Sequence, residues 1–131
     1  MNASITNSLL ILPVPDLEIT SAFYESYLNF KAVKYLNVKE LHICLYRDAI
    51  EIVLIKSNLP QVEPNRILHK TGSGCDGYFT SEDVELLYNE FQDNGLKIMK
   101  HLDMTDYGNR EFVIEDINKR WIGFGMKQKS Y

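Results

Sequence analysis

The chain has 131 residues, 45% of them hydrophobic and 24% charged, a balance that supports a packed core and excludes a disordered chain. Its formal net charge is −4, with lysines and arginines scattered among acids; no basic stripe is offered to a phosphate backbone, which excludes nucleic acid as a partner. Cys44 and Cys75 are the only cysteines and form no CxxC pair, which excludes a zinc ribbon or a disulfide scaffold and fits a reducing cytoplasm.

The first apolar run, "SLLILPV", ends in proline and reads as a buried strand. It has neither the basic start nor the length of a signal peptide. No segment approaches the roughly 20 apolar residues needed to cross a bilayer, so a cytoplasmic protein with no membrane partner is expected. Asp16 follows as a helix N-cap, its carboxylate available to the free amides of the first turn. Leu17, Phe23, Tyr24 and Leu28 recur at near-helical spacing and predict an amphipathic helix to about Leu28, with Phe23 and Tyr24 on its packed face. Three strand-like runs come next, "KAVKYLN", "ELHICLY" and "AIEIVLIK"; Arg47-Asp48 is short enough to close the last two into a tight hairpin.

A polar stretch, "SNLPQVEPNR", and the glycine-rich "TGSGCDG" separate this half from a second. The glycine-rich piece lacks the GK[ST] ending of a phosphate-binding loop and precedes a strand, so it reads as a hinge. Then the plan returns: "CDGYFTSED" is a strand running to a cap, "VELLYNEFQDNG" a helix stopped by Gly95, and "LKIMKHL", "REFVIED" and "RWIGFGM" are strands. At one constant offset Asp16 matches Asp83, Leu17 matches Val84 and Tyr24 matches Phe91. Both halves read β-α-β-β-β, a module used twice rather than a solenoid array. "NLPQVEPN" and "HLDMTDYGNR" are expected to be surface connections, with His69 and His101 in connections and without partners.

With that order in hand, the motifs take on a family likeness. "LPVPDLEITSAFYESYLNF", "TSEDVELLYNEFQDNG" and "YGNREFVIEDINKRWIGF" together resemble the vicinal oxygen chelate superfamily of glyoxalases, extradiol dioxygenases and bleomycin resistance proteins. Asn29 stands where the family's Leu-Gly-Phe has glycine, and Ile117 and Lys119 depart from its Asp-Pro-Asp-Gly-Asn turn. The resemblance covers nearly the whole chain. It implies an α+β domain of two βαβββ modules, about 6–57 and 74–128, forming a partly open, cup-like mixed sheet with helices outside. It also implies homodimers with ligand sites in the cup.

Enzymes of that superfamily hold a divalent metal on the inner face with His, Gln or Glu side chains from both modules. The matching positions here are Leu9, Glu51, Asp76 and Gly123, and two of these carry no donor atom. The resemblance is therefore closest to the bleomycin resistance branch: a metal-free, cofactor-free small-molecule-binding protein. The alternative is a metal-dependent glyoxalase-like lyase or dioxygenase with a rearranged site, in which His42 or Glu115 enters through a shifted strand register. A ligand-sensing partner domain is a third reading.

The hairpin supplies its own test of faces. A turn at Arg47-Asp48 pairs Tyr46 with Ala49, Cys44 with Glu51 and His42 with Val53, and directly paired residues share a face. His42, Cys44, Tyr46 and Glu51 then face the cup, leaving Ile43, Leu45, Ile50, Ile52 and Leu54 to the helices. Period two adds Asp76, Tyr78 and Thr80, and sets Trp121 beside Gly123. The expected ligand-binding set is His42, Tyr46, Glu51, Asp76, Tyr78, Tyr107 and Trp121: flat aromatic walls with two carboxylates, suited to a planar or cationic ligand. Against this stand plainer readings, a solvated carboxylate at Glu51, a satisfied histidine at His42 and a buried structural thiol at Cys44.

Overall fold

The first helix starts where its cap is: Oδ1 of Asp16 accepts from the Ile19 amide at 2.9 Å. The computed structural model describes residues 2–68 and 74–127. Its first module comprises β1 (Leu10–Val14), α1 (Leu17–Leu28), β2 (Lys31–Tyr35), β3 (His42–Arg47) and β4 (Ile50–Lys56). A four-residue helix, α2 (Asn65–Leu68), lies in the polar connection between the two modules. The second module follows as β5 (Gly77–Thr80), α3 (Val84–Asp93), β6 (Lys97–Met104), β7 (Asn109–Glu115) and β8 (Trp121–Lys127). His69 and residues 71–73 of the glycine-rich hinge fall outside the described residues.

Each module forms a four-stranded mixed sheet, in the order β1-β4-β3-β2 and β5-β8-β7-β6. The first strand of each lies parallel to the last, and the remaining pairs are antiparallel. This is the expected α+β arrangement of two βαβββ modules in open sheets. One apolar cluster spans both modules, and the repeat is written into it: Leu17 and Val84, then Tyr24 and Phe91, are buried at matching helical positions. Among the described residues no helix is long and apolar enough to cross a membrane.

The departures from family glycines have backbone reasons. Asn29 adopts the left-handed conformation (φ 57°) and its amide bonds back to the Tyr24 carbonyl, closing α1 as a glycine would. Lys119 also sits at positive φ (67°), in the β7–β8 turn.

Two expectations are corrected. The β3–β4 turn is Asp48-Ala49, so Arg47 pairs with Ile50, Tyr46 with Glu51, Cys44 with Val53 and His42 with Ile55. Asp48 takes the left-handed φ of 50° that aspartate tolerates, which lets Arg47 remain in the strand. The slip is two residues, so every side chain keeps its expected face. His101 lies within β6 rather than in a connection, and its Nδ1 pairs with the Tyr88 hydroxyl.

Candidate functional site

Alternation along β3 and β4 sends Ile43, Leu45, Ile52 and Leu54 into the core, all fully buried. The opposite face carries His42, Cys44, Tyr46, Glu51, Val53 and Ile55. Register extends this face to Val33 and Tyr35 on β2 and to Ile11 on β1, and these large side chains are exposed.

Glu51 sits at the centre of what this face offers. It lines a hollow of about 350 Å³ with Ser8, Leu9, Tyr78 and Thr80, and a second of about 240 Å³ with Asn7, Tyr46 and Asp48. Tyr46 lies directly across from Glu51, its hydroxyl 3.5 Å from Oε2. The phenol's pKa is pushed up to about 12, first by its hydrogen bond with Cys44 and further by the Glu51 charge. No lysine or arginine among the described residues lines either hollow. Their only formal charges are the carboxylates of Glu51 and Asp48, so a cation is the favoured guest.

The second module fills its own half of the face. Glu111, buried on β7, accepts from the Tyr78 hydroxyl at 3.2 Å and the Tyr107 hydroxyl at 2.6 Å through the same Oε1. Asn109 Nδ2 donates to the Tyr78 oxygen. The Glu111 bond pushes the Tyr107 phenol up to about 12, and burial raises Tyr78. Tyr78 can lie there because β8 has glycines beneath it. A Cβ at Gly123 would stand 2.7 Å from the Tyr78 ring, and one at Gly125 would coincide with its hydroxyl. Tyr107, 63% exposed, bends over this group and lines a further hollow of about 520 Å³ with Asp103 and Met104.

The remaining expected residues are dispersed. Trp121 shares a face with Gly123, but its ring is covered by Arg66, whose guanidinium carbon stands 5.3 Å from the ring centroid, and its Nε1 donates to Glu115. The cation that this ring attracts is the chain's own. Asp76 lines neither Glu51 hollow. Its Oδ1 accepts from the Asn65 amide, its Oδ2 is buried with no hydrogen-bond partner among the described residues, and burial raises its pKa. His42 stacks on Tyr35 (4.6 Å, 15°) with Nδ1 at 2.7 Å from the Glu40 carbonyl, at the end of the face away from the turn. Glu111 was missed by the sequence reading. Its signal was the alternation of Asn109, Glu111, Val113 and Glu115 against buried Phe112 and Ile114.

The donor set does not fit a divalent metal. Leu9 and Gly123 bring no donor, Asp76 bonds the Asn65 amide and lines neither hollow with Glu51, and a glutamate at 123 would need the space that Tyr78 occupies. Among the described residues no three His, Cys, Asp or Glu side chains are grouped to hold an ion.

Residues 6–124 match the model of the Glyoxalase/Bleomycin resistance protein/Dioxygenase superfamily. The chain belongs to that superfamily. No curated protein matches it by sequence. Solved structures of similar fold include TnmS3, an antibiotic binding protein from Streptomyces sp. CB03234, at TM-score 0.71 and 17% identity, covering 97% of this chain and 100% of that one. UcmS2 is equally similar, at TM-score 0.71 and 17% identity over 95% of this chain and 98% of that one. A glyoxylase/bleomycin resistance protein/dioxygenase domain from Frankia sp. EAN1pec gives TM-score 0.72 at 15% identity over 96% and 100%.

Proposed function

We propose that this superfamily member is a metal-free binding protein that sequesters a planar, cationic small molecule over the open face of its first module. The observation that carries the reading is the pair of adjoining hollows that share Glu51 and Leu9, one walled by Tyr46 and the other by Tyr78, with no lining cation among the described residues to compete. A flat cation gains from the ring faces and the carboxylate together. The fold likeness to TnmS3, itself described as an antibiotic binding protein, supports sequestration rather than turnover.

Calorimetry with proflavine, a planar aromatic cation, tests this. Binding in the millimolar range or tighter is expected. Glu51→Gln should weaken it by about three- to five-fold, as for a partly exposed ion pair, and Tyr46→Ala by about three- to ten-fold. Indifference to both substitutions would overturn the site. Stoichiometric metal surviving dialysis in elemental analysis would instead favour a lyase or dioxygenase.

The same reading makes the protein a homodimer. Ile11, Val33, Tyr35 and Ile55 leave on one sheet face the kind of contiguous apolar surface that association covers. Sedimentation equilibrium should give twice the chain mass, and Val33→Lys should shift it toward monomer. A wild-type monomer at all concentrations would remove this part of the proposal.

A further inference from the structure

On the opposite, helix-bearing side lies a second cleft, of about 440 Å³, between the β3–β4 turn of the first module and α3 of the second. Its inner wall is aromatic: Phe79, Phe91 and Phe124 lie edge-on or tilted to one another, with centroids 5.1–5.8 Å apart along the chain Phe91–Phe124–Phe79. Ile50 and Leu87 complete the apolar lining, and Leu86, 68% exposed, stands at the mouth. The cleft adjoins the Glu51 hollows, sharing Asp48, Ala49, Ile50, Phe79 and Thr80 at their common rim, while Asp83, Leu86, Leu87, Phe91 and Phe124 line the cleft and neither hollow.

Charge narrows the guest. Among the described residues the one cation in the wall, Arg47, is already matched: Nη1 and Nη2 reach the two Glu90 oxygens at 2.7 and 2.8 Å, and Nη1 also reaches the Leu28 carbonyl. Asp48, its side chain 88% exposed, stands 3.6 Å from the same arginine's Nε, which leaves Asp83 as the lining carboxylate with no cation beside it among the described residues. Asp83 is the more telling. It occupies the N-cap of α3 yet makes no capping bond, whereas its repeat counterpart Asp16 does cap α1. An aspartate that leaves its helix uncapped has its charge available to the cleft. Asp83 and first-turn Glu85 also offset the positive end of α3, which would otherwise favour an anion.

We infer that this cleft is a second binding site, adjoining the Glu51 hollows, for a small aromatic amine whose ring lies against Phe79, Leu86 and Leu87 at the mouth of the aromatic wall and whose ammonium meets Asp83. The inference does not depend on the cup reading. The whole chain is titrated with naphthylmethylammonium and, separately, with the isosteric carboxylate naphthylacetate, followed by proton–nitrogen correlation spectra. The amine should shift the amides of Asp83, Leu87 and Phe91, which line neither Glu51 hollow, and bind several-fold tighter than the carboxylate. Asp83→Asn, which keeps a good N-cap residue, should weaken the amine by about three- to five-fold. Asp93→Asn, at the far end of α3, should leave it unchanged. Shifts confined to Leu9, Glu51 and Tyr78, equal binding of the carboxylate, or an Asp83→Asn variant within experimental error of wild type would each overturn the assignment.

Discussion

Asp116→Ala should lower unfolding free energy by about 3–5 kcal/mol, measured by urea denaturation. Asp116 is buried in the β7–β8 turn and holds three donors: the Tyr24 hydroxyl on Oδ2 at 2.7 Å, and the Asn118 and Arg120 amides on Oδ1 at 2.8 and 3.0 Å. Alanine strands all three, each at about 1–3 kcal/mol when buried. It also removes a negative charge that interacts with Arg120, whose Nε and Nη1 are already buried without partners among the described residues. The damage crosses the module boundary, because Tyr24 belongs to α1 and Asn118 donates to Thr20 on the same helix. Asp116→Asn keeps an acceptor for both amides and lets the tyrosine hydroxyl accept instead, so it should cost only about 1 kcal/mol. A cost below about 1 kcal/mol for alanine would mean that water satisfies these donors, and that the turn does not clamp the modules.

The same residue has a pH signature. Burial raises the Asp116 pKa above the ordinary carboxylate value of about 4. Its proton therefore contributes stability that is complete below the unfolded-state pKa and is lost as pH rises through the folded value. Glu90 runs the other way: the hydrogen bond from Arg47 lowers its pKa, so its contribution is present above the unfolded pKa and lost as pH falls. From acid to neutral pH, the stability difference between wild type and Asp116→Asn should move against wild type. That between wild type and Glu90→Gln should move in its favour.

What could be read in advance depended on period. The match of Leu17 with Val84 and of Tyr24 with Phe91 exposed the duplicated module, because both pairs fill the same core positions. The face of β3 and β4 survived an error in the turn because a slip of two residues conserves parity. Contacts between distant segments left no such trace. Trp121 lies on the expected face, but only the placement of α2 reveals that Arg66 covers it. Tyr78 was legible as a cup residue, yet its seat depends on two glycines in β8 and a glutamate in β7. Asp76 precedes β5 and accepts from the Asn65 amide at the start of α2 instead of lining a hollow with Glu51, a choice that alternation does not encode.

Arg47 gives the second large effect, and it follows from that misread turn. As a turn residue it would be a solvated cation, and Arg47→Ala would cost next to nothing. As the last residue of β3 it reaches across the module boundary and binds both Glu90 oxygens, while also capping the Leu28 carbonyl at the end of α1. Its guanidinium lies over Phe91, 5.7 Å from the centroid, and Asn29 adds a second donor to Glu90. The pair is only part-exposed, 23% and 31% for the two side chains, so it ranks between a surface pair and a buried one, and Arg47→Ala should cost about 2–4 kcal/mol. Arg47→Lys should recover less than half of this, since an ammonium cannot span both oxygens and the helix carbonyl. The double substitution Arg47→Ala with Glu90→Ala should cost less than the sum of the singles, by about 1–2 kcal/mol. Strict additivity would show that the two residues act separately and that this pair does not clamp the modules.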